Sequence, residues 1–131
     1  MTIETYQQAL SIGFGCSSRA SSEDIVRLIQ ASLAPIPAGT TLATLDRRAS
    51  IGRNVAGALG LRLVLLPASV LANTAGVTAH SAQALAKTQT ANVAEASALA
   101  SLGPSAHLIL PQRKGRYCTC AVASLRLVVR P

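Results

Sequence analysis

A glycine-containing segment near the start of the chain constrains the fold more than any other stretch. Residues 13–19, GFGCSSR, follow an apolar run and precede helix signals that begin at Ser21. This pattern predicts a strand that turns through two glycines into a helix, where backbone N–H groups and the positive end of the helix converge on an anion. The alternative is that the glycines only make a tight strand-to-helix turn. Ser18 stands where the pattern GxGxxG requires its third glycine, so we reject a Rossmann fold.

The rest of the chain alternates between strand and helix patterns. Strands are predicted at residues 8–14, 41–45, 61–66, 106–110 and 117–129, the last as one strand or two. Helices are predicted from Ser21, at 54–59, at 68–72 and from Asn92 to Leu102, with a helical turn at 82–87 in the loop-rich segment 73–90. This order predicts a three-layer α/β/α fold with a mostly parallel (mixed) sheet of about five strands and an antiparallel hairpin at the end.

Several local signals refine this outline. The continuous apolarity of residues 61–66 predicts a strand buried on both faces, and Pro111 is expected to end the strand before it. Ser21 with Asp24 has the spacing of a capping box, as does Asn92 with Glu95. We therefore assign both acids to helix capping rather than to catalysis.

The length of 131 residues predicts one domain over residues 1–131. No apolar run is long enough to cross a membrane, and the first residues do not have the pattern of a signal peptide. These features lead us to expect a cytoplasmic protein without a membrane partner.

Positive charge is concentrated in the second part of the chain. Residues 1–46 carry a net charge of −2, whereas residues 47–131 carry ten Lys or Arg against one acid, a net charge of +9. Such a distribution attracts an anionic partner, which can be nucleic acid, an acidic protein or a polyanionic small molecule. Nucleic acid is disfavoured because only Tyr117 offers an aromatic ring beside the basic residues, and no binding motif is present.

The three cysteines do not have the spacing of a metal site. Cys118 and Cys120 would point to the same face of a strand, but there is no CxxC or HxxxH pattern among these two, Cys16, His80 and His107. A disulfide framework is not expected in the cytoplasm. We predict no metal and no cofactor, and we expect Cys118 and Cys120 to be small buried hydrophobic residues.

A series of short motifs follows in order along the chain: Gly13-Phe14-Gly15-Cys16, Ser21, Glu23-Asp24-Ile25, Ala43-Thr44-Leu45-Asp46, Leu66-Pro67-Ala68, Leu71-Ala72, Val93-Ala94-Glu95-Ala96, Leu108–Pro111 and Arg113-Lys114. In order and spacing, these motifs resemble the family formed by CobE and the C-terminal domain of CbiG, from cobalamin biosynthesis. The resemblance covers roughly residues 9–123.

The resemblance implies a layered α/β/α fold and a place in the construction of the corrin ring, with this chain as the stand-alone CobE type. CbiG proteins open a lactone of a cobalt-precorrin and release acetaldehyde, but they contain further domains, so that activity is not transferred to this module. Relatives commonly carry Arg-Arg-Gly directly after the cysteine of the first motif, where this chain has Ser17, Ser18 and Arg19. Either Arg19 supplies the basic group instead, or a substrate contact is lost.

The first functional hypothesis is a binding or accessory module for a corrin precursor, a tetrapyrrole of the precorrin or hydrogenobyrinic type. The acetate and propionate arms of such a ring complement a basic surface. Other enzymes of the cobalamin pathway are possible partners. The residues expected to bind the ring are Gly15, Cys16, Ser17, Ser18, Arg19, Asp46, Arg48, His80, Ser81, Lys114 and Arg116.

The second hypothesis is an enzyme of the same pathway, a lactone hydrolase or C–C lyase. Cys16 would be the nucleophile, with its thiolate favoured by the helix dipole, and His80 would be the base. The third is an interaction protein that passes an unstable intermediate between pathway enzymes. We rank the binding or accessory role first and the enzyme second.

Overall fold

The computed structural model describes residues 5–78 and 92–129, with side chains over 8–78 and 92–126. The five strands are β1 (Thr5–Cys16), β2 (Thr41–Leu45), β3 (Arg62–Leu66), β4 (His107–Lys114) and β5 (Cys118–Val129). The helices are α1 (Ser22–Ser32), α2 (Ala49–Leu59), α3 (Ala68–Ala72) and α4 (Val93–Leu102), and one turn of 3-10 helix, Asp46–Arg48, leads into α2.

The strands form one mixed sheet in the order β3-β2-β1-β5-β4. β1, β2 and β3 pair in parallel, whereas β5 is antiparallel to both of its neighbours, β1 and β4. Only β5 is therefore reversed, and the other four strands end at the same edge, which we call the carboxyl edge. This arrangement confirms the predicted α/β class, the mixed sheet and the antiparallel hairpin.

Helices cover both faces of the sheet. On one face, Ile12 and Phe14 of β1 pack against Ile25 and Ile29 of α1 and Val55 of α2, and all five side chains are buried. Since successive residues of a strand point to opposite faces, the residues between them face α4. The predicted three layers follow from this alternation along β1.

Gly13 and Gly15 lie within β1, so the predicted turn through these two glycines is wrong. The strand continues to Cys16, and the turn into α1 is made by the residues after it. A Cβ at Gly13 would overlap the carbonyl oxygen of Ala94 and approach the Ala98 nitrogen to 2.7 Å. Gly13 is thus required by the close contact between the backbones of β1 and α4.

One predicted capping box is confirmed and the other is confirmed in part. The Ser21 hydroxyl accepts from the Asp24 N–H at 3.1 Å, and the Ser21 N–H donates to the Asp24 carboxylate at 3.0 Å. Asn92 caps α4 by accepting from the Glu95 N–H at 3.0 Å. The Glu95 carboxylate, however, binds other elements, described below, because it is directed into the protein interior.

Two strand predictions are corrected by the order of the sheet. β3 lies at one edge of the sheet, so none of its side chains is buried, and Arg62 and Leu65 are exposed. Pro111 lies inside β4 and does not end it. β4 is the opposite edge strand, and its register with β5 is irregular between Leu108 and Arg113. An edge strand with a bulge accommodates a residue that cannot donate a hydrogen bond.

Helix α2 begins at Ala49, five residues before its predicted start at residue 54. Gly52 lowers the helix propensity of this segment, so the sequence did not predict the earlier start. A Cβ at Gly52 would lie 3.3 Å from the Leu63 side chain and 3.4 Å from the Thr44 side chain. The glycine lets the helix lie close to β2 and β3. Within residues 5–78 and 92–129, no helix has the length and apolarity needed to cross a bilayer.

We predict that Gly13→Ala lowers the free energy of unfolding by about 1–3 kcal/mol, the usual cost of forcing an extra methyl group into a packed interior. Urea unfolding followed by circular dichroism measures this change. The matched control is Gly57→Ala in α2, where a Cβ meets nothing within 4 Å. That variant should gain about 0.5–1 kcal/mol from the better helix propensity of alanine. Equal stabilities of the two variants would contradict the proposed role of Gly13.

Candidate functional site

An open cleft of about 380 Å³ lies at the carboxyl edge of the sheet, where β1 and β2 end. One wall is the loop between β1 and α1, and the other is the segment that leads from β2 into α2. In open α/β sheets, this edge is where ligands commonly bind. The lining residues are Cys16, Ser17, Ser18, Ala20, Ser21, Ser22, Arg47, Arg48, Ser50, Ile51 and Asn54.

The lining is chemically suited to a carboxylate or another oxyanion. Arg47 and Arg48 supply positive charge from the second wall, and the serines of both walls supply hydroxyl groups that can donate. Guanidinium groups bind carboxylates through paired, charge-assisted hydrogen bonds. Ala20 and Ile51 add a smaller apolar surface.

Cys16 lies at the end of β1 and contributes a half-buried thiol to the cleft. Burial raises the pKa of this thiol above its ordinary value, and the positive charge of Arg48 lowers it by less. The net effect favours the protonated thiol at neutral pH. This is opposite in direction to the thiolate stabilisation that the sequence led us to expect from the helix dipole.

A second basic group lies beside the cleft and combines residues of the β1–α1 loop and of the turn between β4 and β5. The guanidinium carbons of Arg19 and Arg116 lie 5.8 and 5.6 Å from the centre of the Tyr117 ring, within the range of cation–π contacts. We call these three residues the Arg-Tyr-Arg stack. The stack is joined to the cleft because the Ser17 N–H donates to the Tyr117 carbonyl at 3.0 Å.

Four of the predicted binding residues line the cleft together: Cys16, Ser17, Ser18 and Arg48. Arg19 and Arg116 belong to the Arg-Tyr-Arg stack instead. Gly15, Asp46 and Lys114 are near the carboxyl edge but do not line the cleft. Gly15 faces α4, where a Cβ would lie 3.2 Å from Val93.

The remaining two predicted residues, His80 and Ser81, lie outside the described residues, as does the helical turn expected at 82–87. The distance between Cys16 and His80 therefore stays a prediction. Lys114 is exposed at the end of β4, and in the sheet register Thr119 lies between it and Gly15.

Glu95 is fully buried in the first turn of α4 and connects three elements. Its carboxylate accepts from the Thr78 N–H and from the Gln112 N–H, each at 2.7 Å, and from the Thr78 hydroxyl at 2.9 Å. Hydrogen bonds of this kind offset the cost of burying a charge. Glu95 thus anchors β4 and the segment after α3 to α4, a role that its spacing from Asn92 did not reveal.

Cys118 and Cys120 are buried on the α1 face of β5, as expected. Burial, with a smaller contribution from the Asp24 charge, raises the pKa of Cys118 to about 11. The Cys120 thiol donates to the Ser32 hydroxyl at 3.4 Å. Among the described side chains, no group of three or more His, Cys, Asp or Glu residues is arranged to hold a metal ion.

The sequence did not identify Arg47, Ser50 or Asn54 as site residues. They line the cleft because the 3-10 turn and α2 start immediately after β2, which brings the first turns of α2 to the carboxyl edge. The signal that points to them is the position of Arg47 and Arg48 directly after a buried strand. The loop expected there is helical, so residues one helical turn further on also reach the cleft.

Comparison with known proteins identifies the family. The family model described as "Cobalamin synthesis G C-terminus" matches residues 10–123. The chain is similar to the crystal structure of CobE, a protein from the cobalamin (vitamin B12) biosynthetic pathway, with 30% sequence identity and a TM-score of 0.78 over 94% of each chain. Among curated proteins, no significant match was found.

The fold is also shared with the crystal structure of the cobalamin biosynthesis protein chiG from Agrobacterium tumefaciens str. C58. That match has 23% identity and a TM-score of 0.63, and covers 88% of this chain and 97% of that one. The family match extends from within β1 to within β5 and includes both the cleft and the Arg-Tyr-Arg stack. The chain therefore belongs to the CbiG C-terminal family of cobalamin biosynthesis proteins.

Proposed function

We propose that this protein binds a corrin-ring precursor through its carboxylate arms at the carboxyl edge of the sheet, and acts as a binding or accessory module in cobalamin biosynthesis. The observation that carries the proposal is the cleft in which Arg47 and Arg48 face the serines of the β1–α1 loop. We take the ligand class from the place of the family in cobalamin synthesis. The lining of the cleft supports the kind of contact, since carboxylates are the groups that such a lining binds.

The size of the cleft supports binding of part of the ligand. A volume of about 380 Å³ is near the lower end of ligand pockets, which hold roughly 300–1,000 Å³. A cleft of this size accommodates one or two arms and an edge of the ring, and leaves the remainder of the macrocycle at the mouth. The neighbouring basic residues Arg19, Lys114 and Arg116 are then available to other arms.

The state of Cys16 favours binding over covalent catalysis. A cysteine nucleophile reacts as the thiolate, and burial opposes the thiolate form of Cys16. The hypothesis of a hydrolase or lyase that uses Cys16 and His80 is therefore ranked second. Its distinguishing outcome is a corrin spectrum that changes with time in the presence of the protein.

We predict that Arg48→Ala weakens the binding of cobyrinic acid, a corrin whose arms are all free carboxylates. Loss of one charge-assisted contact should reduce affinity roughly tenfold or more. Visible absorbance recorded during titration and after gel filtration measures both affinity and any spectral change. The loss should shrink as salt is added, because screening weakens the contact in the wild type.

The matched control is Arg62→Ala. Arg62 is the first residue of β3 and is exposed. It therefore lies at the end of the strands opposite the carboxyl edge. The Arg62→Ala variant loses the same charge but keeps the cleft intact, so its affinity for cobyrinic acid should stay close to that of the wild type. Equal losses in the two variants would assign the effect to net charge and contradict the cleft. If the wild type fails to bind cobyrinic acid, the proposed function is wrong.

We predict that alkylation of Cys16 by iodoacetamide becomes fast only above pH 9.0, its ordinary pKa, because the folded protein raises that pKa. As pH rises through the raised pKa, the thiolate fraction and the rate increase together. Peptide mass spectrometry resolves Cys16 from Cys118 and Cys120. Arg48→Ala should move the midpoint to still higher pH, since the Arg48 charge lowers the pKa. If the alkylation rate instead had its midpoint at a lower pH than in the urea-unfolded chain, the result would support Cys16 as a nucleophile.

A further inference from the structure

Tyr117 has an unusual conformation for a large side chain. Its φ is 62°, in the left-handed region that bulky residues rarely adopt, and its side chain is 42% exposed. Among the described side chains it is the only exposed aromatic residue. Residues held in such backbone conformations concentrate at binding and catalytic sites, where a fixed geometry is useful.

The local hydrogen bonds fix this geometry. The Tyr117 carbonyl accepts from Ser17, which lines the cleft, and on the other side of the turn the Gly115 N–H donates to the Cys118 carbonyl at 2.8 Å. A Cβ at Gly115 would lie 3.0 Å from Leu28 of α1, so the turn lies close against that helix. The ring therefore projects from a turn that is hydrogen-bonded to the β1–α1 loop and to the start of β5 and that lies close to α1.

Two like charges share this ring. Arg19 comes from the β1–α1 loop and Arg116 from the β4–β5 turn, and both guanidinium carbons lie within 6 Å of the ring centre. Guanidinium groups repel one another, but each is attracted to the electron-rich face of an aromatic ring. Tyr117 thus contacts cations from two separate loops. A guanidinium group placed over an aromatic ring can still donate hydrogen bonds to an anion.

We propose that Tyr117 is a positioning residue that holds Arg19 and Arg116 as two guanidinium groups for two carboxylate arms of the ligand. The inference rests on the proposed function and deepens it, because it makes the free carboxylates of the arms the recognised groups. Arms radiate from the rim of a corrin ring, so one arm in the cleft places others over the adjoining surface. Through Ser17, the Arg-Tyr-Arg stack is that surface.

Recognition by guanidinium pairs has a chemical consequence. A carboxylate accepts two parallel hydrogen bonds from arginine and carries the opposite charge, whereas an amide arm is neutral and has one carbonyl oxygen. The protein should therefore prefer a ring whose arms are acids. This preference places it ahead of reactions that convert such arms into amides.

The test compares Tyr117→Phe with Tyr117→Leu, using cobyrinic acid as the acid probe and cobinamide as a probe with amide arms. Tyr117→Phe keeps the ring and should bind the acid as the wild type does. Tyr117→Leu should bind it roughly tenfold more weakly, because two freed arginine side chains must be ordered again on binding. Neither variant should change the weak binding of cobinamide.

Two further variants separate positioning from backbone effects. Tyr117→Asn removes the ring but tolerates the left-handed backbone more easily, so it should lose affinity as Tyr117→Leu does. In the Tyr117→Leu background, adding Arg116→Ala should cost less affinity than it does in the wild type, which is the coupling expected of a positioning residue. The melting temperature of each variant is measured as a control that the fold is intact.

The outcomes distinguish this inference from the proposed function. If the wild type binds cobyrinic acid and Tyr117→Leu binds it equally well, the positioning role is overturned and the proposed function stands. If the wild type binds cobinamide as tightly as the acid, recognition of free carboxylates is overturned. If the wild type binds neither corrin, both proposals fall.

Discussion

The contact between Gly13 and α4 is the constraint on which the rest of the structure depends. Ala94 and Ala98, one turn apart on α4, pass so close to β1 that a Cβ at Gly13 would overlap the helix backbone. Gly15, two residues further along the strand, meets Val93 at the start of the same helix. The helix therefore runs antiparallel to β1, and its first turn lies at the carboxyl edge.

Glu95 extends this contact to the elements on both sides. Because it lies in the first turn of α4, its carboxylate is buried where the segment after α3 and strand β4 can both donate to it. A charge with no exposed surface is tolerated only when hydrogen bonds replace its water, so these elements hold one another in place. The end of β4, and with it the turn that carries Tyr117, is positioned by a residue on the opposite side of the sheet from α1.

The sequence predicted what depends on neighbouring residues. The Ser21–Asp24 capping box, the alternation of strands and helices, and the burial of Cys118 and Cys120 are local features, and the structure confirms them. It did not predict what depends on the order of strands. Apolar residues cannot indicate that β3 is an edge strand, and Pro111 reads as a stop until β4 is known to be an edge. Gly13 and Gly15 were also misassigned, because the helix α4 that they contact lies about eighty residues away in the sequence.

The residues of the candidate site also divide into those that the sequence predicted and those that it did not. Ser17, Ser18 and Arg48 were predicted because each follows a strand at its carboxyl end, whereas Arg47, Ser50 and Asn54 depend on the helical start of α2. The predicted Arg19 and Arg116 reach the same Tyr117 ring only because β5 lies beside β1, although the two arginines are far apart in sequence. At the described part of this edge, burial raises the pKa of the Cys16 thiol, which favours its protonated form. The edge thus combines arginine side chains with hydroxyl donors, and this combination is the observation on which the proposal of carboxylate binding rests.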